Sequence, residues 1–343
     1  MKTGHYKSLA FALIAIGLLS ACDRTSRLPE FELRGPTMGT TFSAKIIDAL
    51  DDSTREMLGA EIVDRLESIE QVMSTYREQS ELSRFNASES IEWADVSAEL
   101  CHAIEASLAV SHMTNGAFDI TVGPLVNLWG FGPGEAVSVP PSQEILDAAM
   151  SRVGFDRLAT RCETPAVRKD NPDIYLDLSG WAKGYAADEL AELLDRNGIT
   201  DYLVEVGGEL RARGMNVERR KWAVAIEQPI DYDRRPQTVL RLTDFGVATS
   251  GDYRNFFEHD SNRYSHTIDG RTGRPVTHAL SAVTVVNRSA AFADAMATAL
   301  LVLGPEEGPR LAENLGVAAL FLIHDDAGIS ELTTTIFDRL QLR

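Results

Sequence analysis

The chain has 343 residues and a formal net charge of −18 at pH 7. Nucleic-acid phosphates are bound by basic surfaces, so this charge argues against a general nucleic-acid-binding protein, although simple solubility also explains it. Hydrophobic residues make up 44% of the sequence, as in ordinary globular proteins, and the length suffices for one large folded domain.

The first 21 residues have the pattern of a secretory signal peptide. Residues 1–8 carry Lys2 and Lys7, and the thirteen residues 9–21 are almost wholly apolar. A helix that crosses a bilayer needs ~20 apolar residues, so this run is too short to be a membrane span. We therefore predict that residues 1–21 are removed as a signal peptide.

A lipid-attachment motif ends this segment. Residues 19–22 read Leu-Ser-Ala-Cys and resemble the bacterial lipobox, in which the cysteine is acylated and becomes the new N-terminus. Acyl chains on Cys22 would anchor the protein, with residues 22–30 as a tether and residues 31–343 as the domain. Asp23 favours retention at the inner membrane, so we predict its periplasmic face. An ordinary signal peptide with a chance cysteine is the alternative.

Two further cysteines, Cys101 and Cys162, remain in the mature chain. The predicted compartment permits a disulfide. Cys101 falls on a predicted helix and Cys162 in a loop or at a strand edge, so the sequence leaves open whether the two thiols meet. No cysteine and histidine spacing indicates a zinc site.

The domain begins with β-structure followed by an amphipathic helix. Residues 31–47 read as strand, interrupted at residues 35–41 by small residues that would let a ligand approach the backbone. Ser53 and Glu56 form a capping-box pattern that predicts a helix start. The core-facing stripe of that helix consists of Leu58, Ile62, Leu66, Ile69 and Met73.

Helices dominate the middle of the chain. They are predicted at residues 97–114, 141–152 and 181–197, with a shorter helical turn at 80–86. Gly116 and Gly198 lie just past two of these helices, where glycine is favoured. The last strand of this region is predicted at 174–178, and Ser179 and Gly180 are predicted to form the turn that follows it.

Strands dominate the C-terminal half. Alternating apolar residues predict strands at 202–206, 222–227, 239–242, 245–248 and 279–286. A helix at 290–303, ended by Gly304 and Pro305, precedes a closing hairpin of strands 317–323 and 329–334. Neighbouring strands with interspersed helices predict an α+β fold with mixed or antiparallel sheets and packed helices. No Gly-x-Gly-x-x-Gly fingerprint follows a strand, which argues against a Rossmann site.

A polar stretch near the C-terminus combines anion donors with an imidazole. His266 starts a short β-type run at 265–268, and a turn rich in Gly, Thr and Pro follows at 269–275. Ser, Thr, Tyr and Arg residues are its neighbours in sequence. These groups suit an anionic, phosphorylated ligand held beside a proton-transfer group. A polar hairpin whose histidine only packs is the alternative.

The helix that begins at Ala290 carries two polar residues in its apolar first part, Asp294 and Thr298. They are four residues apart and therefore share a face of the helix. A carboxylate in such surroundings is costly unless it is paired or binds a metal ion. Carboxylate, hydroxyl and backbone carbonyl oxygens suit Mg²⁺. An aspartate paired with an arginine is the alternative.

A third candidate stretch covers residues 177–184, which read Asp-Leu-Ser-Gly-Trp-Ala-Lys-Gly. A helix N-terminus at this point would offer free N–H groups to an anion. Lys183 in the first turn opposes the helix dipole, which suggests a carboxylate or a ligand as its partner. Asp177 would accept hydrogen bonds from an adenine or a ribose. A self-contained salt bridge between Asp177 and Lys183 is the alternative.

Seven blocks, in order along the domain, resemble one family, the FAD:protein FMN transferases (ApbE family). The blocks are Pro36-Thr-Met-Gly-Thr-Thr41, residues 74–77 with 80–86, Gly116-Ala-Phe-Asp-Ile-Thr121, residues 177–184, Glu205-Val-Gly-Gly-Glu209, Ser265-His-Thr-Ile-Asp269 and residues 293–298. The resemblance implies an ApbE-like (T-fold-like) architecture. It also implies an enzyme that binds FAD with Mg²⁺, splits its pyrophosphate, transfers FMN to a Thr or Ser hydroxyl of an acceptor flavoprotein subunit, and releases AMP.

The resemblance also assigns site residues. The flavin and adenine would pack against Met38, Tyr76, Ala117, Phe118, Asp119, Asp177, Lys183 and Ile268. Metal ligation would map to Asp294 and Thr298, with backbone oxygens near Gly180 and Ala297. We predict that His266 draws the proton from the incoming hydroxyl, since an imidazole titrates near physiological pH.

This sequence departs from some members of the family at three of these positions. Some members carry Thr in place of Gly180, Glu in place of Lys183 and Asp in place of Ala297. We therefore expect more backbone carbonyl or water oxygens on the metal here, and a lysine that contacts the ligand or Asp177 directly. An FAD pyrophosphatase and a non-catalytic periplasmic flavin-binding lipoprotein remain the rival functions.

Overall fold

A computed structural model describes residues 28–134, 137–229, 235–252, 255–260, 262–325 and 328–341. The predicted signal peptide, Cys22 and most of the predicted tether lie outside these residues. Within the described ranges, no helix combines the length and the apolar composition that crossing a membrane requires.

The described residues form seventeen strands, eight α-helices and one short 3-10 helix, Phe155–Arg157. The strands are β1 (Glu30–Thr37), β2 (Thr40–Ile47), β3 (Ala94–Asp95), β4 (Leu158–Arg161), β5 (Ala166–Lys169), β6 (Tyr202–Val206), β7 (Glu209–Arg213), β8 (Trp222–Glu227), β9 (Pro236–Leu242), β10 (Phe245–Gly251), β11 (Phe256–His259), β12 (Asn262–Ser265), β13 (Ile268–Asp269), β14 (Arg274–Pro275), β15 (Leu280–Asn287), β16 (Ala318–Asp325) and β17 (Gly328–Thr333). The helices are α1 (Asp52–Met73), α2 (Glu81–Ala87), α3 (Ala98–Met113), α4 (Gly123–Leu128), α5 (Gln143–Met150), α6 (Ser179–Arg196), α7 (Ala290–Leu315) and α8 (Thr335–Gln341).

An eight-stranded sheet forms the centre of the fold, in the order β1-β2-β6-β7-β10-β15-β16-β17. Every neighbouring pair in it is antiparallel. Helices α6 and α7 pack against each other and against its middle strands. The prediction of an α+β fold with antiparallel sheets and packed helices is confirmed.

Both faces of the sheet are covered, which explains the nearly continuous apolar runs in its last strands. In β16, Ala319 and Phe321 face the main core beside α7, whereas Leu320 and Leu322 face a second core. The second core is closed by the β8–β9 hairpin and by Phe337 of α8. Successive side chains of a strand point to opposite faces, so a strand buried on both sides needs apolar residues throughout.

A disulfide joins Cys101 of α3 to Cys162 in the turn between β4 and β5. The sequence left this pairing open. The bond ties the helical layer to the small sheet of strands β3, β5 and β4, which lies outside the central sheet.

Several element boundaries differ from the predictions. Asp51, not Ser53, caps α1, because its carboxylate accepts the backbone N–H of Thr54. The helix predicted to start after a Ser179–Gly180 turn already includes both residues. The prediction that a helix ends at Gly304 is supported by a non-helical residue there, with φ of 77°, although a second helical stretch follows directly. Helix α8 was not predicted.

The strand predicted at 174–178 is also wrong, since this extended segment joins no sheet within the described residues. Side chains hold its backbone instead. The amide of Asn86 exchanges two hydrogen bonds with Leu176, of 2.9 and 2.8 Å. The ammonium of Lys169 contacts the carbonyl oxygens of Pro172 and Ile174 at 2.7 and 3.2 Å. These contacts fix the approach to Asp177.

Replacing Lys169 by methionine should lower the free energy of unfolding by about 2–4 kcal/mol. Lys169 is 1% exposed, and besides its contacts with Pro172 and Ile174 it donates to the carbonyls of Phe85 and Asn86. Methionine keeps the packing but removes the shared donor of these four carbonyls, of which that of Phe85 keeps another donor, the N–H of Ser88. Urea unfolding of the variant checks this, with Lys45→Met on β2 as a control. A loss below about 0.5 kcal/mol would contradict this assignment.

Candidate active site

A cavity of about 660 Å³ opens between the tip of the β1–β2 hairpin, the end of α1 and the start of α6. Three of the residues predicted to bind the ligand, Met38, Tyr76 and Lys183, line it. The volume lies within the ordinary range for small-molecule sites. We therefore place the candidate site in this cavity.

The hairpin tip is fixed over the cavity by α1. Met38 and Gly39 both have positive φ, of 48° and 68°, as a two-residue turn with the twist of its strands requires. Glu70 accepts the backbone N–H of Met38 at 2.8 Å, and Arg77 holds the other oxygen of Glu70 at 2.9 Å. The wall formed by Met38 is therefore anchored by a charged pair.

Tyr76 connects the cavity to an aromatic cluster, whose rings are those of Trp129, Phe131, Phe257, Tyr264 and His266. Its ring is 66% exposed, and its hydroxyl donates to the carbonyl of Phe131 at 3.3 Å. The ring of Phe131 lies edge-on to the imidazole of His266, with centroids 6.3 Å apart. The predicted ligand-binding tyrosine and the predicted catalytic histidine are thus joined through one residue.

His266 lies in the break between β12 and β13, so the prediction that it begins a continuous β-run is wrong. Both its backbone N–H and its Nδ1 lie near the carbonyl oxygen of Asn255, at 3.0 and 3.1 Å. A carbonyl can only accept, so we assign the proton to Nδ1, which leaves the lone pair on Nε2 free to take a proton.

The surroundings of His266 disfavour the protonated form of its imidazole. Burial lowers the pKa of its imidazole, and the positive charge of Lys183 lowers it further, against the opposing hydrogen bond to Asn255. A neutral imidazole with a free Nε2 is suited to accept a proton at physiological pH.

Asp294 lies buried where α6 and α7 touch. Its Oδ2 accepts the backbone N–H of Gly184 at 3.1 Å and lies 3.6 Å from Nζ of Lys183. Burial raises the pKa of Asp294, whereas the charge of Lys183 opposes that rise. A Cβ atom on Gly184 would lie 2.3 Å from the carbonyl oxygen of Ala290, so only glycine permits this helix contact.

The other residues predicted to hold a metal lie along the same contact. A Cβ atom on Gly180 would lie 3.4 Å from Oγ1 of Thr298, so this part of α6 faces the hydroxyl. Oγ1 of Thr298 in turn lies 3.0 Å from Oγ of Ser250. Ala297 is fully buried. The structure therefore brings the hydroxyl oxygens of Thr298 on α7 and Ser250 on β10 together beside Gly180 of α6.

Lys183 does not form the salt bridge with Asp177 that was considered as an alternative. Its Nζ lies 3.0 Å from Oε1 of Glu209 and 3.6 Å from Oδ2 of Asp294. The carboxylate of Asp177 instead accepts the N–H and the hydroxyl of Ser179, the first residue of α6. Among the described residues, the expected direct contact between Lys183 and Asp177 is absent. The lysine has two carboxylate partners, not one.

Glu209 is a site residue that the sequence reasoning did not single out. It is 4% exposed, and burial raises its pKa to about 7, with the repulsion of Asp294 adding to the rise and the attraction of Lys183 opposing it. Glu209 stands at the end of the Glu205-Val-Gly-Gly-Glu209 block. The sequence did contain an indication of its role. Glu209 directly follows two glycines and begins a strand with an apolar pattern.

The remaining predicted ligand residues, 117–119 and Ile268, are buried and are not among the residues that line the cavity. Ala117 and Phe118 are buried, and the ring of Phe118 lies against Gly180. Both carboxylate oxygens of Asp119 accept hydrogen bonds from the protein, at Thr121 and Phe155. Ile268 packs in the core formed with Trp129. Contact of these residues with a flavin stays a prediction.

The sheet, the helix pair and the cavity define an α+β protein built like the solved flavin transferases. The flavin transferase ApbE from Vibrio cholerae superposes with a TM-score of 0.83 at 41% identity, over 91% of this chain and 99% of that one. The apo flavinyl transferase ApbE from Pseudomonas stutzeri gives a TM-score of 0.84 at 38% identity, over 91% and 97%.

Sequence comparison gives the same result. The model of the ApbE family matches residues 38–321. The FAD:protein FMN transferase of Vibrio cholerae is 41% identical over 326 residues, 95% of this chain and 96% of the relative. That of Escherichia coli K12 is 42% identical over 322 residues, 92% and 90% of the two chains. The chain belongs to the ApbE family, as the resemblance of its seven blocks predicts.

Proposed function

We propose that this chain is an FAD:protein FMN transferase, which moves FMN from FAD to an acceptor flavoprotein. The names of its relatives support this function. The observation that carries it is one cavity-lining lysine that contacts a buried carboxylate pair, with an imidazole joined to the same cavity through Tyr76 and Phe131. A phosphoryl-transfer site needs positive charge and a proton acceptor close together.

The finer proposal is transfer to a Thr or Ser hydroxyl with release of AMP. Nε2 of His266 takes the proton of the acceptor hydroxyl. The hydroxyl oxygen then bonds to the phosphorus of the FMN half, and the bond from that phosphorus to the bridging oxygen breaks. The bridging oxygen leaves on AMP, so FMN ends as a phosphoester on the acceptor.

We further propose that Mg²⁺ binds at Asp294 and Thr298, with backbone oxygens of Gly180 and Ala297. The residues fit such an ion for two reasons. Among the described residues, the cluster of Asp294, Glu209 and Lys183 has two carboxylates for one ammonium, and Oε2 of Glu209 is buried without a donor. The donors are also hard oxygens. When bound, the ion would supply charge that neutralises the pyrophosphate.

An acceptor protein incubated with FAD, Mg²⁺ and the purified chain tests the function. Mass spectrometry should find FMN added to one Thr or Ser, with AMP released in equal amount. Free FMN and AMP without a modified acceptor would instead indicate an FAD pyrophosphatase. FAD recovered unchanged would indicate a flavin-binding protein without catalysis.

The location of the protein is proposed from its N-terminal sequence alone. The signal pattern of residues 1–21 and the lipobox at Cys22 support a lipid-anchored protein on the periplasmic face of the inner membrane. Expression of the full chain with a labelled fatty acid should place label on the wild type and none on Cys22→Ser. Equal labelling of both proteins would refute the anchor.

A further inference from the structure

Glu209 is buried and binds the ammonium of Lys183 directly. It begins β7, after Gly207 and Gly208, whose φ angles are 63° and 112°. This tight turn directs the carboxylate towards α6, where Oε1 accepts the ammonium of Lys183 at 3.0 Å. The second oxygen, Oε2, is buried and has no hydrogen-bond partner among the described residues. Burying a carboxylate in this way is costly, so a function for it is expected.

The stem of Lys183 is held as well as its ammonium. A Cβ atom on Gly207 would lie 2.9 Å from Cδ of Lys183, so the glycine makes room for the stem. A lysine side chain has four rotatable bonds and loses much rotamer freedom when it is fixed. Here a turn and a carboxylate from β7 remove that freedom before any ligand binds. Preorganisation of this kind lowers the cost of contacts made in the transition state.

The two carboxylates hold the ammonium unequally. Nζ lies 3.0 Å from Glu209 but 3.6 Å from Asp294, which is beyond an ordinary charged hydrogen bond. Without Glu209, Asp294 would be the remaining carboxylate partner of Lys183 among the described residues. The flexible lysine side chain would then be free to move closer to Asp294. It would then turn away from the cavity that it lines.

We propose that Glu209 is a positioning residue for the transfer reaction. It holds the Lys183 ammonium at the cavity wall, where it faces the phosphates of FAD, and keeps it from closing on Asp294. Glu209 acts through Lys183 and touches no reacting atom. This inference rests on the proposed transferase function and adds to it a residue with a defined task.

A double-mutant cycle tests the proposal. Glu209→Gln, Lys183→Met and the double variant are compared with wild type for kcat and for KM of FAD, measured as covalent flavin on the acceptor. Glu209→Gln should lower kcat by about 10–100-fold with a change in KM below about 3-fold. In the Lys183→Met background, the same substitution should change kcat by less than about 2-fold, because its effect passes through the lysine.

Glu209→Asp separates position from charge. It keeps the negative charge but shortens the side chain by one methylene, so it should lose about 10-fold or more in kcat. If Glu209 only balanced charge, this variant would be as active as wild type. Glu205→Gln, on the neighbouring strand β6, is the control, since its carboxylate contacts Ser43 and not the lysine.

The possible outcomes are distinct. Equal losses from Glu209→Gln with and without Lys183 would overturn the inference while leaving the transferase function in place. So would a lower melting temperature with unchanged kcat, which describes a purely structural pair. If wild type itself transfers no FMN, the proposed function is wrong, and the inference is overturned with it.

Discussion

Replacing Asp294 by asparagine is expected to lower the rate of FMN transfer by about 10³-fold. Asparagine has nearly the same shape, so the packing of α6 on α7 should survive. The substitution removes the buried charge that lies 3.6 Å from Lys183 and that we propose as the metal ligand. Lys183 keeps Glu209 as a partner at 3.0 Å, so the variant should remain folded.

The measurement has two parts. Covalent flavin on the acceptor is followed over a range of Mg²⁺ concentrations, and Mg²⁺ binding is measured separately by calorimetry. Asp147→Asn on α5 is the control, because that carboxylate is exposed and contacts only Gln143 among the described residues. Full activity of wild type in excess chelator would rule out a metal-dependent reaction.

His266→Gly should lower transfer by about 10²–10⁴-fold while FAD binding changes by less than about 3-fold. The structure leaves Nε2 of the imidazole free, because Nδ1 is directed at the carbonyl of Asn255. Removing the ring therefore removes a proton acceptor and little of the cavity wall. Added imidazole should restore part of the rate if the residue is a base.

The control residue lies on β11, which pairs with β12, the strand that ends just before His266. His259→Ala, on β11, removes another imidazole and should leave transfer unchanged. Normal turnover of the His266→Gly variant would end the assignment of this residue as the base. Loss of FAD binding together with turnover, without rescue by imidazole, would instead make it a ligand donor.

The pH dependence follows from the sign of the shift. Burial and Lys183 lower the pKa of His266 below its ordinary value of 6.5. A base must be unprotonated, so the rate should be level near pH 7 and fall only as the pH drops below 6.5. An activity that already declines between pH 8 and pH 7 would mean that another group, such as Glu209, controls the rate.

Local patterns in the sequence predicted most of the fold. Alternating apolar residues located the central strands, and Ser97 correctly marked the start of α3. The predictions failed where side chains from distant parts of the sequence, and not neighbouring residues, determine the backbone conformation. Residues 174–178 have the composition of a strand, but Asn86 binds the backbone of Leu176 and Lys169 that of Ile174, so no neighbouring strand is needed. A single-sequence pattern does not contain such partners.

The site was predicted residue by residue and not as a network. Asp294 and Thr298 lie four residues apart on α7, and Thr298 lies against Gly180; that these residues hold a metal ion stays a prediction. The partner of Lys183 was not predicted, since Glu209 is 26 residues away along the chain and reaches it only through the pairing of β6 with β7. The Cys101–Cys162 bond was open for the same reason, at a separation of 61 residues.

Helices α6 and α7 touch directly through their backbones at Gly184 and Ala290. This contact fixes the geometry of the candidate site. Two helices this close cannot slide or part without losing the whole interface, so the distances among their polar atoms are set when the protein folds. The proposed nucleotide substrate would therefore meet polar groups whose positions are already fixed. We therefore expect differences in substrate selectivity to arise in the loops and exposed side chains around the cavity, because the α6–α7 contact leaves no room for a Cβ atom at Gly184.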